Sequence, residues 1–282
     1  MTYRVGIVGD PVDHSRSPSM QNAAFAATGI DAHYVLWPTP LATLAARVAS
    51  LRAADMLGAN VTIPHKQAVI PLVDVLADSA LAVGAINTIV NEGGRLVGHN
   101  TDADGLIDAL RAQGYARFEH GVILGAGGAA RAALVALTQL GAETLHIAAR
   151  DPAKAMALLA EHVPWNVYPI VTVGHLPSSA SDSDDAQFIA TLRDADIIIN
   201  ATPIGMAKSS VPDAPAWVSV LKAEAVVVDL VTTTTPLLLA ANTRGLVTMD
   251  GLPMLLHQGA RAFTLWTKLR APLAIMRAAL NP

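Results

Sequence analysis

The chain contains no cysteine. That absence excludes disulfides, thiolate metal sites, iron–sulfur clusters and cysteine nucleophiles together. Histidine offers no substitute: none of the nine pairs with another at i+3 or i+4, so no helix-borne metal motif exists and no metal is expected. Charge is scarce, at 15% of residues with a net −4, which removes the basic footprint of a nucleic-acid binder. No uncharged apolar run approaches the ~18 residues of a membrane span, so no membrane partner is expected. Met1-Thr2-Tyr3-Arg4 leads directly into a strand-like segment without an apolar signal region, and a cytoplasmic location is expected. Neither a G-x-S-x-G elbow nor a G-x-x-x-x-G-K-[ST] loop is found. What the chain does have is apolar residues, 52% of 282, enough for a large core and about two domains.

Strand and helix patterns alternate along the chain. Strands are predicted at 3–8, 34–37 and 57–63, and helices at 18–28, closed by Gly29, and 41–51. Segments 86–90 and 96–99 flank Asn91-Glu92-Gly93-Gly94, a hairpin signal. A helix over 101–113 ends at Gly114. Regular βαβ texture follows, with strands at 121–124, 144–149, 197–200, 226–231 and 246–249. Helices are predicted at 128–140 and 151–162, the second with Asp151 as N-cap and Pro152 behind it. A helical tail over 252–279 is interrupted near Ala271-Pro272, and the acidic 177–185 reads as a solvated loop. Strands joined by helices imply an α/β protein with a mostly parallel sheet covered on both faces.

Ile123-Leu124-Gly125-Ala126-Gly127-Gly128-Ala129-Ala130 follows a strand and opens a helix. As G-x-G-x-x-A it offers Gly125 for the tight turn, Gly127 for close approach of pyrophosphate, and Ala130 for helix–strand packing. An NAD site wants an acidic residue ending the second strand, whereas here Ala149 is followed by Arg150, suited to a 2′-phosphate, with Lys154 a turn further on. Asp151 argues for NAD, but its position before Pro152 is explained as an N-cap. NADP is therefore favoured over NAD.

Polar clusters crowd the first part of the chain. His14-Ser15-Arg16-Ser17-Pro18 holds two hydroxyls before a helix, able to meet an anion or, for Ser17, simply to cap. Gly58-Ala59-Asn60-Val61-Thr62-Ile63-Pro64-His65-Lys66 places a lysine after a buried strand, either a general acid or an ordinary surface charge. Gly84-Ala85-Ile86-Asn87-Thr88 and Gly98-His99-Asn100-Thr101-Asp102 complete the set, Asn100 or Thr101 being a candidate cap that leaves Asp102 in the first helical turn. Together they favour a polyhydroxylated, anionic small substrate.

With HSRSP, GANVTIPHK, GAINT, NTD, GAGGAAR, NATPIGM and MLLHQGA–AFTLWT in this order along nearly the whole chain, the sequence resembles the shikimate dehydrogenase family. The resemblance implies a discontinuous architecture: an N-terminal α/β substrate domain from 1–102 and 253–282, and a Rossmann-type doubly wound NADP domain over 103–252. It implies reversible NADPH-dependent reduction of 3-dehydroshikimate to shikimate, in the route to chorismate and the aromatic amino acids. Lys66 would be the catalytic lysine with Asp102 beside it, donating the proton that the developing alkoxide needs. Ser15 and Ser17 would bind the carboxylate, and Thr62, Asn87, Asp102 and Gln258 the ring hydroxyls or the ammonium. Gly125, Ala126, Gly127, Gly128 and Ala129 would hold the pyrophosphate. Ala149, Arg150 and Lys154 would face the adenosine phosphate, Leu230 and Gly251 the nicotinamide half, and Asp78 would be a further cofactor contact. The enzyme would act as a monomer or homodimer.

The chain departs from the family pattern in two places. Where the family has Asp-x-x-Tyr-x-Pro-x-x-Thr-Pro, this chain has Asp229-Leu230-Val231-Thr232-Thr233-Thr234-Thr235-Pro236, so Thr232 stands for a substrate-holding tyrosine. Ala149-Arg150-Asp151 replaces Asn-Arg-Thr. These departures leave open a quinate/shikimate dehydrogenase or related oxidoreductase using NAD; a ligand-binding regulator that kept the fold is the more remote alternative.

Overall fold

A computed structural model describes residues 1–161, 169–176, 186–205 and 215–280. The chain divides into two units, Met1–Gly105 with the segment from Leu255, and Leu106–Met254.

The first unit opens with β1 (Tyr3–Gly9), α1 (Ser17–Thr28), β2 (Ala32–Pro38), α2 (Leu44–Ser50) and β3 (Met56–Val61). There follow β4 (Val75–Leu76), α3 (Asp78–Val83), β5 (Thr88–Glu92), β6 (Arg95–His99) and the start of α4 (Asp102–Ala112). Its sheet is mixed, in the order β2-β1-β3-β5-β6-β4, with β1 parallel to β2 and β3 and with β5 antiparallel to β3 and β6. The β5–β6 turn is the one its residues require: Gly93 and Gly94 take φ of +65° and +97°, and the Gly94 amide donates to Asn91 Oδ1 at 2.7 Å. Gly29 closes α1 at φ +69°, its amide reaching back to the Ala26 and Phe25 carbonyls.

Three predictions need correction. The helix expected over 41–51 is a 3₁₀ turn, Leu41–Thr43, followed by α2, because Thr43 leaves helical geometry and its hydroxyl donates to the Pro40 carbonyl. The strand expected over 57–63 stops at Val61, since Pro64 cannot donate to a ladder and restricts Ile63 before it. Ser17 does not cap α1: it is the first helical residue, and Ser15 Oγ accepts from its amide at 3.3 Å.

The second unit contains β7 (His120–Leu124), α5 (Gly128–Gln139), β8 (Thr144–Ala149), α6 (Pro152–Glu161) and β9 (Ile170–His175). It continues through α7 (Ala186–Asp194), β10 (Ile197–Asn200), β11 (Val226–Asp229), α8 (Pro236–Thr243) and β12 (Val247–Met249). The sheet is parallel throughout, ordered β12-β11-β10-β7-β8-β9. The period of two sorts its residues. Ile123, Ile147, Ile197 and Val228 join α5 and α6 in one core, and Val122, Ala148, Ile198 and Val227 join α7 and α8 in the other. The strand order reverses between β7 and β10, which is where such sheets bind ligands, beyond the carboxyl ends of the strands. Elements β4, α3, β9, α7 and α8 are absent from the sequence-based expectation, although α7 buries Phe188 and Leu192 on one face; the loop expected at 177–185 lies outside the described residues.

The chain closes with α9 (Leu252–Thr267) and α10 (Leu273–Leu280), broken at Ala271-Pro272. In the first unit Phe263, Trp266, Met276 and Leu280 pack on Phe25 and Tyr34, with the Phe25 and Phe263 rings 5.4 Å apart. No helix among the described residues is long and apolar enough to cross a membrane.

Candidate functional site

In the first unit, strand ends and one helix start bring a set of polar side chains together. Lys66 lies in the turn after β3 and Asp102 opens α4; Lys66 Nζ donates to Asp102 Oδ2 at 2.6 Å, with side-chain exposures of 17% and 7%. The turn carrying Lys66 is fixed on both sides. The Lys66 carbonyl accepts from the Ile86 amide at 2.8 Å, and the buried His65 donates through Nε2 to the Thr39 carbonyl at 2.6 Å. Asp102 is fixed by Asn100, whose Oδ1 accepts from the Asp102 amide at 2.9 Å. A carboxylate in the first helical turn is also favoured by the helix dipole.

Asn87 organises the centre. Its Oδ1 accepts from the Thr101 amide at 2.8 Å and from the Thr88 hydroxyl at 2.9 Å, so its orientation is determined. Its Nδ2 then donates to Asp102 Oδ1 at 2.8 Å and to Thr101 Oγ1 at 2.9 Å. Gln258, on α9, turns Oε1 to 3.4 Å from Asn87 Nδ2. Thr62 is half-buried at the end of β3, Ser15 is half-buried and Ser17 buried.

Behind them lies a second buried layer that sequence reasoning does not assign. Tyr34 donates to Asn60 Oδ1 at 2.8 Å, and Asn60 Nδ2 donates to the Asn87 carbonyl at 3.1 Å and to Thr88 Oγ1 at 3.0 Å. Burial pushes the Tyr34 phenol well above its ordinary value, opposed by a hydrogen bond with the Ser17 side chain. Asn60 stands within the GANVTIPHK string, whereas Tyr34 on its alternating strand gives no signal.

The second unit holds the glycine loop at the sheet's reversal. Gly125 takes φ +111°, and a Cβ there would come within 3.1 Å of the Ala201 carbonyl oxygen of the neighbouring strand end. Gly127 precedes α5, and a Cβ on it would meet nothing within 4 Å, leaving open space beside the free amides of the helix start. Ala130 is fully buried against the sheet. That cradle, with Arg150 and Lys154 both exposed at the end of β8 and the start of α6, fits a phosphorylated dinucleotide. Asp151 accepts from the Ala153 amide at 3.1 Å, the capping role expected of it. Leu230 and Gly251 adjoin: a Cβ on Gly251 would lie 2.3 Å from the Leu230 carbonyl oxygen.

Asp229, also unassigned by sequence, anchors that segment. Its Oδ1 accepts from Asn200 Nδ2 and the Val231 amide, both at 3.0 Å, and its Oδ2 from Thr235 Oγ1 at 2.7 Å. Burial raises its pKa against the lowering effect of these bonds. Of the remaining site assignments, Thr232 lies in the second unit and Asp78 in the first. Asp78 is the exposed first residue of α3, where the helix dipole accounts for a carboxylate. Among the described residues no group of three or more His, Asp or Glu is placed to hold a metal.

The chain matches family models for the shikimate dehydrogenase substrate binding domain over residues 7–89 and the shikimate 5′-dehydrogenase C-terminal domain over 251–280. It is 41% identical over 278 residues to the shikimate dehydrogenase (NADP(+)) of Symbiobacterium thermophilum, covering 98% of this chain and 92% of that one. Shikimate dehydrogenase from Aquifex aeolicus superposes with a TM-score of 0.87 at 31% identity, over 100% of this chain and 98% of that one. Shikimate 5-dehydrogenase from Thermus thermophilus, in complex with NADP(H) and shikimate, gives 0.82 at 33% identity over 99% and 98%.

Proposed function

The chain belongs to the shikimate dehydrogenase family, and from that premise we propose that it interconverts shikimate and 3-dehydroshikimate with NADP(H), using Lys66 as general acid and base. The observation that carries this reading is the part-buried Lys66–Asp102 contact of 2.6 Å, held from behind by Asn87. When bound, the dinucleotide supplies or accepts the hydride at the ring carbon. Everything else is work for this chain's side chains. In the reduction, the Lys66 ammonium donates a proton to the carbonyl oxygen as negative charge develops there; in the oxidation, neutral Lys66 takes the hydroxyl proton. Asp102 keeps the amine oriented and offsets its desolvation when charged. Ser15 and Ser17 bind the substrate carboxylate, and Thr62, Asn87 and Gln258 position the ring hydroxyls.

The glycine loop from Gly125 to Ala129 binds the pyrophosphate, Ala149, Arg150 and Lys154 the adenosine end, and Leu230 and Gly251 the nicotinamide half. Asp78 remains a cofactor contact supported by resemblance alone. The substrate domain is 1–102 with 253–282 and the cofactor domain 103–252; the enzyme is cytoplasmic and a monomer or homodimer. A second reading, quinate oxidation with NAD, is favoured by Thr232 in place of tyrosine and by Asp151 beside Arg150. Assays of shikimate and quinate, each with NADP and NAD, separate the two: the proposal expects the shikimate–NADP pair to have the highest kcat/KM. No turnover of shikimate with either dinucleotide would overturn it.

A further inference from the structure

Gln21 is a fully buried glutamine whose position is hard to justify by stability. On α1, its Nε2 donates to the Gly259 carbonyl of α9 at 2.9 Å, while its Oε1 has no hydrogen-bond partner among the described residues. In a regular helix the Gly259 carbonyl already accepts from the amide four residues on, so Gln21 is a second donor to it. A half-satisfied buried amide stabilises little, and an apolar side chain of the same shape would serve the core as well or better. The bond does fix one thing, the rotation and height of α9 at the residue following Gln258. Gly259 itself faces α1, where a Cβ would lie 2.2 Å from the flexible tip of Met20 and 3.3 Å from Gln21 Nε2.

Gly105 fixes the same point from the opposite helix. It lies on α4 three residues after Asp102, hence on the same helical face. A Cβ at Gly105 would fall 2.6 Å from Gln258 Cβ, 2.7 Å from its amide nitrogen and 2.8 Å from its Cα. These are mainly backbone atoms, so the contact cannot be relieved by turning a side chain. Close approach of α9 to Gly105 brings Gln258 Oε1 to 3.4 Å from Asn87 Nδ2 and 3.5 Å from Thr101 Oγ1. The Arg261–Asp104 pair at 3.0 Å joins the same two helices but is about 40% exposed at each side chain, and contributes little to the register.

We infer that Gly105 and Gln21 are positioning residues that seat Gln258 beside Asn87, and that they set affinity for the hydroxylated substrate through Gln258. The inference rests on the proposed reading of this site as the shikimate site. Gly105→Ala is expected to raise the KM for shikimate about tenfold, the equivalent of one lost hydrogen bond of roughly 1.4 kcal/mol, with a smaller fall in kcat and an unchanged KM for NADP. Gln21→Met is expected to raise it several-fold while leaving Tm unchanged or higher, an outcome that a purely structural glutamine would not give. In a Gln258→Ala background Gly105→Ala is expected to add less than about a twofold effect, since its route is already removed.

A KM within about twofold of wild type for both variants, or a full extra effect in the Gln258→Ala background, would overturn the inference. A crystal structure of Gly105→Ala provides a test independent of the substrate. Gln258 Oε1 moved away from Asn87 Nδ2 supports seating and an unmoved side chain refutes it, even if wild-type protein fails to turn over shikimate and the functional reading is lost.

Discussion

Replacing Asp102 by asparagine, which has the same shape, puts the Lys66–Asp102 pair to a sharp test. The carboxylate accepts on both oxygens, from Lys66 Nζ at 2.6 Å on Oδ2 and from Asn87 Nδ2 at 2.8 Å on Oδ1. An amide has one oxygen to offer. Asn87 cannot flip to accommodate it, because its own Oδ1 is committed to the Thr101 amide at 2.8 Å and the Thr88 hydroxyl at 2.9 Å. The new side chain must therefore give its oxygen to Asn87 and turn its NH₂ toward the lysine, donor facing donor. Lys66 loses one charge-assisted hydrogen bond and a compensating charge. A hydrogen bond to a charged group is worth about 1.5–3 kcal/mol, so the loss alone predicts a fall in kcat/KM of roughly 10–150-fold. Loss of alkoxide stabilisation by a correctly oriented ammonium extends that to about 10³. Steady-state oxidation of shikimate, with a circular dichroism melt to verify folding, measures it. A folded Asp102→Asn enzyme retaining a third of wild-type kcat/KM would refute the reasoning.

Other consequences are equally direct. Arg150→Ala should raise the KM for NADP at least about tenfold while leaving that for NAD nearly unchanged, because only the former has a 2′-phosphate to lose; equal effects on both would remove Arg150 from that role. Asp229→Val leaves Asn200 Nδ2, the Val231 amide and Thr235 Oγ1 buried without their acceptor. At about 1–3 kcal/mol for each group, the total loss is roughly 3 kcal/mol or more, readable by urea denaturation. Asp74 is held down at about 2 by its hydrogen bond from Arg52, so its ionised form stabilises the fold. That contribution is complete above its ordinary value of 3.8 and disappears as pH falls through about 2. The Tm difference between wild type and Asp74→Asn should accordingly shrink across that interval; a difference that grows toward low pH would contradict the assignment.

The cofactor loop is legible in the sequence because its constraints are local. Gly125 at φ +111°, Gly127 with open space beyond it and Ala130 in the core each follow from one short string between a strand and a helix. The substrate site is a different case. Lys66 and Asp102 are 36 residues apart, and nothing in either local pattern pairs them. Their association is readable only through the ordered motifs of the family. Tyr34 and Asn60 escape notice because a tyrosine and an asparagine on strands look like ordinary core-edge residues until β1, with Val5 opposite Tyr34 on one side and Ile7 opposite Asn60 on the other, brings their side chains within a hydrogen bond. Asp229 reads as part of a strand end, and its role depends on Asn200 from the neighbouring strand. The shortest elements that escape prediction share a cause: β4 has two residues and α3 has six, too few for a period to register, and both are held by tertiary contact.

The central claim is that Lys66 moves the proton in a shikimate–NADP reaction, and one comparison tests it most directly. Wild-type protein and Lys66→Ala are each given shikimate and NADP, NADPH formation is followed by absorbance, and shikimate binding is measured separately by calorimetry. The predicted result is robust turnover by wild type, a loss of at least about 10³-fold in kcat for the variant, and largely preserved shikimate binding. Unchanged turnover in Lys66→Ala would contradict the account.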